Sequence, residues 1–284
     1  MTVREKAKTP PFSTIQSVPH TVVALGFVSL FMDISSEIIH SLLPVFLVTV
    51  LGASTLSVGF IEGIAEATAQ VAKLFSGAVS DWIGRQKLLV PLGYGIAALT
   101  KPLFPLAFGI GTVLVARFVD RIGKGIRGAP RDALIGDVTP VELRGTAFGL
   151  RQSMDTVGAF LGPLLAMLFM AASRDNFRLV FWIAVLPAII SVVLIFYGVQ
   201  EPDAPPRTER RPFPIQRSEL RRLDLAYWVL VGIATILTLG RFSEAFLLLA
   251  AQHVGLAVAL IPGAAPCPPR SGIPLRVPAP FAGS

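Results

Sequence analysis

Apolar residues in this chain fall into long blocks, and short runs rich in Gly, Pro and charge separate them. The blocks run from Thr21 to Leu51, Leu56 to Ala78, Leu88 to Phe108, Val113 to Gly136, Gly145 to Ala172, Phe177 to Val199 and Leu225 to Leu249. A helix crosses the hydrocarbon core of a bilayer with about 20 mostly apolar residues, and each block supplies them if its interior charges are tolerated. The pattern therefore predicts an all-α integral membrane protein with seven helices. The first block is interrupted by Asp33, Glu37 and His40, with Pro44 as an expected kink; the second carries Glu62, Glu66 and Lys73. Pro102 and Pro105 stand near the end of the third, and the seventh carries Arg241 and Glu244. The fourth is the most heavily charged, with Arg117, Asp120, Arg121, Lys124, Arg127 and Arg131 in the run LVARFVDRIGKGIRGAPR. Arg117, Arg121 and Lys124 follow i, i+4, i+7 and share one helix face.

Composition sharpens this reading. The 284 residues are 53% hydrophobic and only 15% charged, outside the range of ordinary globular chains. A formal net charge of +7 would fit a nucleic-acid binder, but the cations lie between or inside apolar blocks, so no nucleic-acid partner is expected. Cys267 is the only cysteine, which excludes an internal disulfide and a cysteine-based zinc site. His20, His40 and His253 have no metal-ligand spacing, and neither a metal nor another cofactor is expected. No nucleophile–base pair or nucleotide loop is present, so the chain does not read as an enzyme. Arg85 and Lys87, then Arg131 and Arg144, then the arginines between 207 and 222 fall in alternate connections, on the side of the basic N-terminus. By the positive-inside rule that side is cytoplasmic. The domain reading is a cytoplasmic tail (1–19), a six-helix bundle (20–200), a cytoplasmic linker (201–224), the first helix of a second bundle (225–261) and a tail (263–284).

An ion in a bilayer costs a few kcal/mol or more unless it meets a partner or water. Asp33 and Glu37, on one face of the first helix, read either as proton or cation coupling groups or as structural ion pairs with the fourth helix. Arg117 reads as a coupling or substrate-contacting group, or as a purely structural charge. Arg121 and Lys124 read as contacts for an anionic solute, or as side chains snorkelling to the cytoplasmic surface. Glu62 and Glu66 are expected to be paired structurally, as are Arg151 and Asp155 at i, i+4. Gly158 and Gly162 are four apart, a spacing that close helix packing explains.

The segment Gly77-Ala-Val-Ser-Asp81-Trp-Ile-Gly84-Arg85-Gln-Lys87 resembles the signature loop of the major facilitator superfamily, G-x-L-x-D-x-x-G-R-[RK]-x, between its second and third helices. Valine replaces the usual leucine here. Arg117 sits where that family has a buried arginine, and Gly158-Ala-Phe-Leu-Gly162-Pro163 resembles its antiporter motif, with Ala166-Met167 in place of the final glycine pair. The resemblance implies a six-helix bundle made of two three-helix repeats, and a secondary transporter that moves a small solute by alternating access, by proton-coupled efflux. Asp33, Glu37 and Arg117 would couple, Arg121, Lys124, Arg241 and Glu244 would line the cavity, and Gly77, Asp81, Gly84 and Arg85 would serve the conformational switch. The expected location is the prokaryotic plasma membrane. Uptake of a small anion is one alternative. Another is an inactive half-transporter that needs a second half or a second copy, since such carriers have about twelve helices. The Pro-rich stretch 263–284 has no helical period and is expected to reflect a shifted reading frame.

Overall fold

The computed structural model describes residues 18–83, 86–198, 224–239, 244–254 and 256–264, all of them helical or in short connections. Six helices form a bundle: α1 (His20–Thr49), α2 (Thr55–Ile83), α3 (Gln86–Thr100), α4 (Ile110–Val138), α5 (Arg144–Ala172) and α6 (Phe177–Gly198). Two shorter helices follow, α7 (Leu225–Leu239) and α8 (Glu244–His253), then a 3-10 turn over Val258–Ala264.

Several boundaries differ from the sequence reading. The second helix continues to Ile83, so Gly77 to Ile83 are helical and not part of a loop. The Ser76 hydroxyl donates to the Ile126 carbonyl at 2.7 Å and fastens this end of α2 to α4. The third helix stops at Thr100 and tightens into a 3-10 turn at Lys101–Leu103, because Pro102 and Pro105 lack the N–H that would continue it. By contrast, α1 runs on through Pro44. In place of one seventh helix there are two, α7 and α8.

Among the described residues three helical stretches are long and apolar enough by themselves to cross a membrane: His20–Thr49, Val141–Ala172 and Phe177–Gly198. The expected seven fall to three because α2 and α4 have the length but carry charges, while α3 and α7 are each 15 residues long. Of those charges Arg117, Asp120, Arg121 and Arg127 of α4 are buried inside the bundle, whereas Glu66 and Lys73 of α2 and Lys124 of α4 are exposed.

The packing is symmetric in a particular way. α1 lies along α5 and α6; α4 lies along α2 and α3. Exchanging α1–α3 for α4–α6 turns the first set of contacts into the second, the pattern of two three-helix repeats. α1 is the central rod: 61% of its apolar span is buried, against 22% for α5 and 33% for α6. The outer helices turn Phe160, Leu164, Leu168, Leu186, Ile189 and Phe196 outward, a surface suited to lipid. Serines fasten α1 to its neighbours. Ser35 donates to the Ala184 carbonyl at 2.6 Å, the Ser191 hydroxyl of α6 donates to the Val28 carbonyl of α1 at 2.7 Å, and the Ser29 and Tyr94 hydroxyls share a 2.8 Å hydrogen bond. Such bonds hold helices together where lipid supplies no hydrophobic drive.

Candidate functional site

Glycines set how closely the charged helices approach. On α5, a side chain at Gly158 would lie 2.9 Å from the Leu30 carbonyl and 3.0 Å from the Asp33 Cβ, and Gly162 faces Glu37 and Ile34. The acidic turn of α1 is thus pressed against the small face of α5. On α4, Gly125 meets the α2 backbone at Ala69 and Lys73, while Gly123 meets Gly93 and Ala97 of α3. The cationic helix is seated between two neighbours at backbone contact.

Toward α1 and α2 the charges close on one another. The Arg117 guanidinium donates to Glu62 Oε2 at 2.9 Å. His40 stands between two carboxylates, with Nε2 at 3.3 Å from the same Glu62 oxygen and Nδ1 at 3.5 Å from Glu37. The Arg117 side chain is 2% exposed, and Glu62 Oε1 is buried without a hydrogen-bond partner. Toward α3, Lys101 Nζ donates to Asp120 at 2.8 Å and to the Ser36 hydroxyl at 2.9 Å, and both charged groups are buried. Nearer the start of α1, Arg131 and Arg151 share Asp132 and Asp155 at 3.0 to 3.8 Å, and Arg131 also donates to Ser29 at 2.5 Å.

Between these groups lies a cavity of about 340 Å³, walled by α1, α2, α4 and α5. Its lining holds six cations, Lys73, Arg121, Lys124, Arg127, Arg131 and Arg151, and four carboxylates, Asp33, Glu66, Asp132 and Asp155. Arg121 and Arg127 are buried, and each has a guanidinium nitrogen with no hydrogen-bond partner. Arg127 also lies over the Tyr94 ring at 4.5 Å, a cation–π contact. Among the described residues no group of His, Cys, Asp or Glu is arranged to hold a metal ion; at Glu62 the guanidinium of Arg117 supplies the positive charge.

Comparison with known sequences decides the family of this two-repeat bundle. The sequence profile of the Major Facilitator Superfamily matches residues 25–279. The chain belongs to this superfamily. An uncharacterized MFS-type transporter of Methanocaldococcus jannaschii is 34% identical over 237 residues, covering 82% of this chain and 56% of the relative. An uncharacterized protein of Mycobacterium tuberculosis is 27% identical over 245 residues, 85% of this chain and 60% of its own. The chain therefore spans a little over half the length of these relatives. Among solved structures, a bacterial homolog of the human lysosomal transporter Spinster superposes with a TM-score of 0.64 at 18% identity, covering 91% of this chain and 58% of that one, a likeness of fold. The chain is thus a membrane transporter-family protein and not an enzyme.

The superfamily's motif positions divide within this structure. Gly77 lies on α2 against Ala129 of α4, and Asp81 is in the helical end of α2. The Asp81 side chain, Gly84 and Arg85 lie outside the described residues, as does Arg241; Glu244 begins α8 and is exposed. Of the three predicted coupling residues, Glu37 and Arg117 are linked through His40 and Glu62, whereas Asp33 lines the cavity. Arg121 and Lys124 also line the cavity, and Gly158 and Gly162 seat α5 on α1, with Pro163 following inside α5. His40, without metal-ligand spacing in the sequence, takes its place here as the bridge between Glu37 and Glu62. Lys101 joins the buried charges without a helical pattern to mark it; the signal in the sequence is a lone lysine before Pro102 and the aspartate Asp120 on the first half of α4.

Proposed function

We propose that this chain supplies the first half of a proton-coupled secondary transporter that exports a small solute by alternating access. The observation that supports it is His40, set between Glu37 and Glu62. A neutral imidazole carries one N–H and one lone pair, so it can donate to only one of two flanking carboxylates. A second proton, on the ring or on a carboxyl, makes both contacts favourable. Losing that proton leaves a ring lone pair facing a carboxylate, acceptor against acceptor. Arg117 holds the other side of the arrangement by sharing Glu62 Oε2, so a change of protonation at His40 is felt at α4. Helices α1, α2 and α4 then have a proton-dependent reason to shift, which is what a coupled carrier requires. Export as the direction follows the Gly158 to Pro163 motif. The N-terminus lies in the cytoplasm of a prokaryotic plasma membrane, as the basic connections suggest. A second half or a second copy completes the solute path, in keeping with relatives of which this chain matches only 56% to 60%.

The test uses everted membrane vesicles carrying the full chain, energised so that they acidify, with acridine-orange fluorescence reporting the pH gradient. A panel of toxic organic cations and small anions is added one by one. At least one solute is expected to dissipate the gradient, and Glu62→Gln or Asp33→Asn to abolish the response. Silence across the panel, both for the chain alone and for the chain co-produced with a separate second half, would end this reading.

A further inference from the structure

We infer that the cavity between α1, α2, α4 and α5 is a binding site for an oxyanion, a carboxylate, phosphate or sulfate group, gripped by Arg121 and Arg127 with Lys124 at its opening. This rests on the transporter reading, and it assigns the chemical class of what the cavity takes. The charges lining the cavity separate into met and unmet groups. Arg131 and Arg151 are met by Asp132 and Asp155. Glu66 accepts a hydrogen bond from Gln70 at 2.8 Å. The remainder is cationic on balance: Lys73, Arg121, Lys124 and Arg127 make no ion pair among the described residues, against two acids without one, Asp33 and the Glu66 that Gln70 holds.

Two features make this a built site and not a solvated face. Arg121 and Arg127 are 7% and 5% exposed, yet each keeps a guanidinium nitrogen without a partner. Arg117 and Arg151 also keep an Nε without a partner, but each has a carboxylate on the same guanidinium; Arg121 and Arg127 have none. Since a buried unpaired donor on a charged group costs more than the roughly 1–3 kcal/mol of a neutral one, an incoming acceptor is favoured there. Guanidinium groups also present the planar, forked donor set that matches carboxylate and phosphate oxygens. Lys124 is surrounded by other residues but open to the cavity. Asp33 across the cavity disfavours a second negative charge on the far end of the solute, and it offers an acceptor to a hydroxyl or amino group there. The volume of about 340 Å³ suits a small solute.

The same headgroup chemistry comes from a free solute or from an anionic lipid, and the experiment separates them. The full chain, purified in nanodiscs of phosphatidylcholine, is titrated with inorganic phosphate and with sulfate. Saturable binding is expected, weakened about ten-fold or more in Arg121→Gln and in Lys124→Gln, the loss anticipated for one charge-assisted hydrogen bond. Lys124→Gln guards against a folding artefact, since that side chain is exposed. Arg178→Gln, at the other end of the bundle where Arg178 binds the Ala107 carbonyl, is expected to bind as the parent does. Repeating the titration in discs that contain phosphatidylglycerol assigns the source: competition by the lipid points to a headgroup, undiminished binding to a free anion, and either supports the site. Absence of saturable binding in neutral discs, or binding unchanged in both cavity variants, overturns it. Such a failure leaves the vesicle assay above intact, because that assay detects solutes of either charge.

Discussion

Two regions along α4, less than three turns apart, treat their cations in opposite ways. At Arg117 the guanidinium is fully buried and lies on Glu62, whose acid is shared with His40, and one turn on Asp120 is matched by Lys101. At Arg121, Lys124 and Arg127 the cations outnumber the acids and surround open space. Both regions use the same residue types on the same helix. In a low-dielectric setting an ion persists either because a neighbour meets it or because it faces a hydrated cavity. The first region is therefore a joint between helices, and the second is a socket whose lining cations exceed its acids. Charge alone does not separate the two regions; ion pairing does.

The sharpest way to break this contrast is to open the joint. Arg117→Ala leaves Glu62 buried beside a histidine with no guanidinium, and the loss expected from breaking one side of a buried pair is roughly 3–5 kcal/mol. Thermal unfolding of the detergent-solubilised chain should show a large fall. The double variant Arg117→Ala with Glu62→Gln should recover part of it, because the stranded acid is gone; equal falls for the single and double variants would mean the pair is not coupled. Next in size comes Lys101→Met, which strands Asp120, at about 3 kcal/mol. Adding Asp120→Leu should return most of that stability, and if it does not, the buried contact has some role beyond charge pairing.

These two partnerships also show where sequence reasoning reaches and where it stops. The six bundle helices were legible because their apolar blocks are long and separated by Gly, Pro and basic runs. The face shared by Arg117, Arg121 and Lys124 was legible from helical periodicity. Periodicity says nothing about the register of one helix against another, however, and every decisive contact here depends on that register. Glu62 meets Arg117 across 55 positions of sequence, and Lys101 meets Ser36 across 65. Three residues that share a face in sequence thus end in different surroundings, Arg117 in the joint and the other two in the socket. The end of the third helix was misplaced for a different reason: its apolar composition continues past Thr100, but the proline at 102 does not allow the helix to do so.

Packing supplies an intermediate test. Gly158→Val would put a branched side chain against the Leu30 carbonyl and the Asp33 Cβ, where the room is 2.9 to 3.0 Å. Overpacking of this kind costs about 1–3 kcal/mol. Unlike the charge variants, it should move α1 relative to α5 and so alter the joint and the socket together. A thermal shift as small as that of a surface substitution would mean that α1 and α5 do not meet as closely as the glycines indicate.

The smallest effect is expected from Lys124→Gln, and its smallness carries the argument. Lys124 and Lys101 are both lysines on charged helical walls, but Lys101 touches Asp120 and Ser36, while Lys124 is open to the cavity and has no ion pair among the described residues. Neutralising Lys124 should change stability by no more than about 0.5 kcal/mol, the range of substitutions that remove no buried partner. Relief of repulsion from Arg121 and Arg127 would push the sign toward stabilisation. The two positions can be compared without any stability measurement. In a Cys267→Ser background, a cysteine at 124 should react with a water-borne thiol reagent, and one at 101 should stay protected. Equal reactivity at both would erase the distinction between joint and socket, since it would mean that water reaches the two lysines alike.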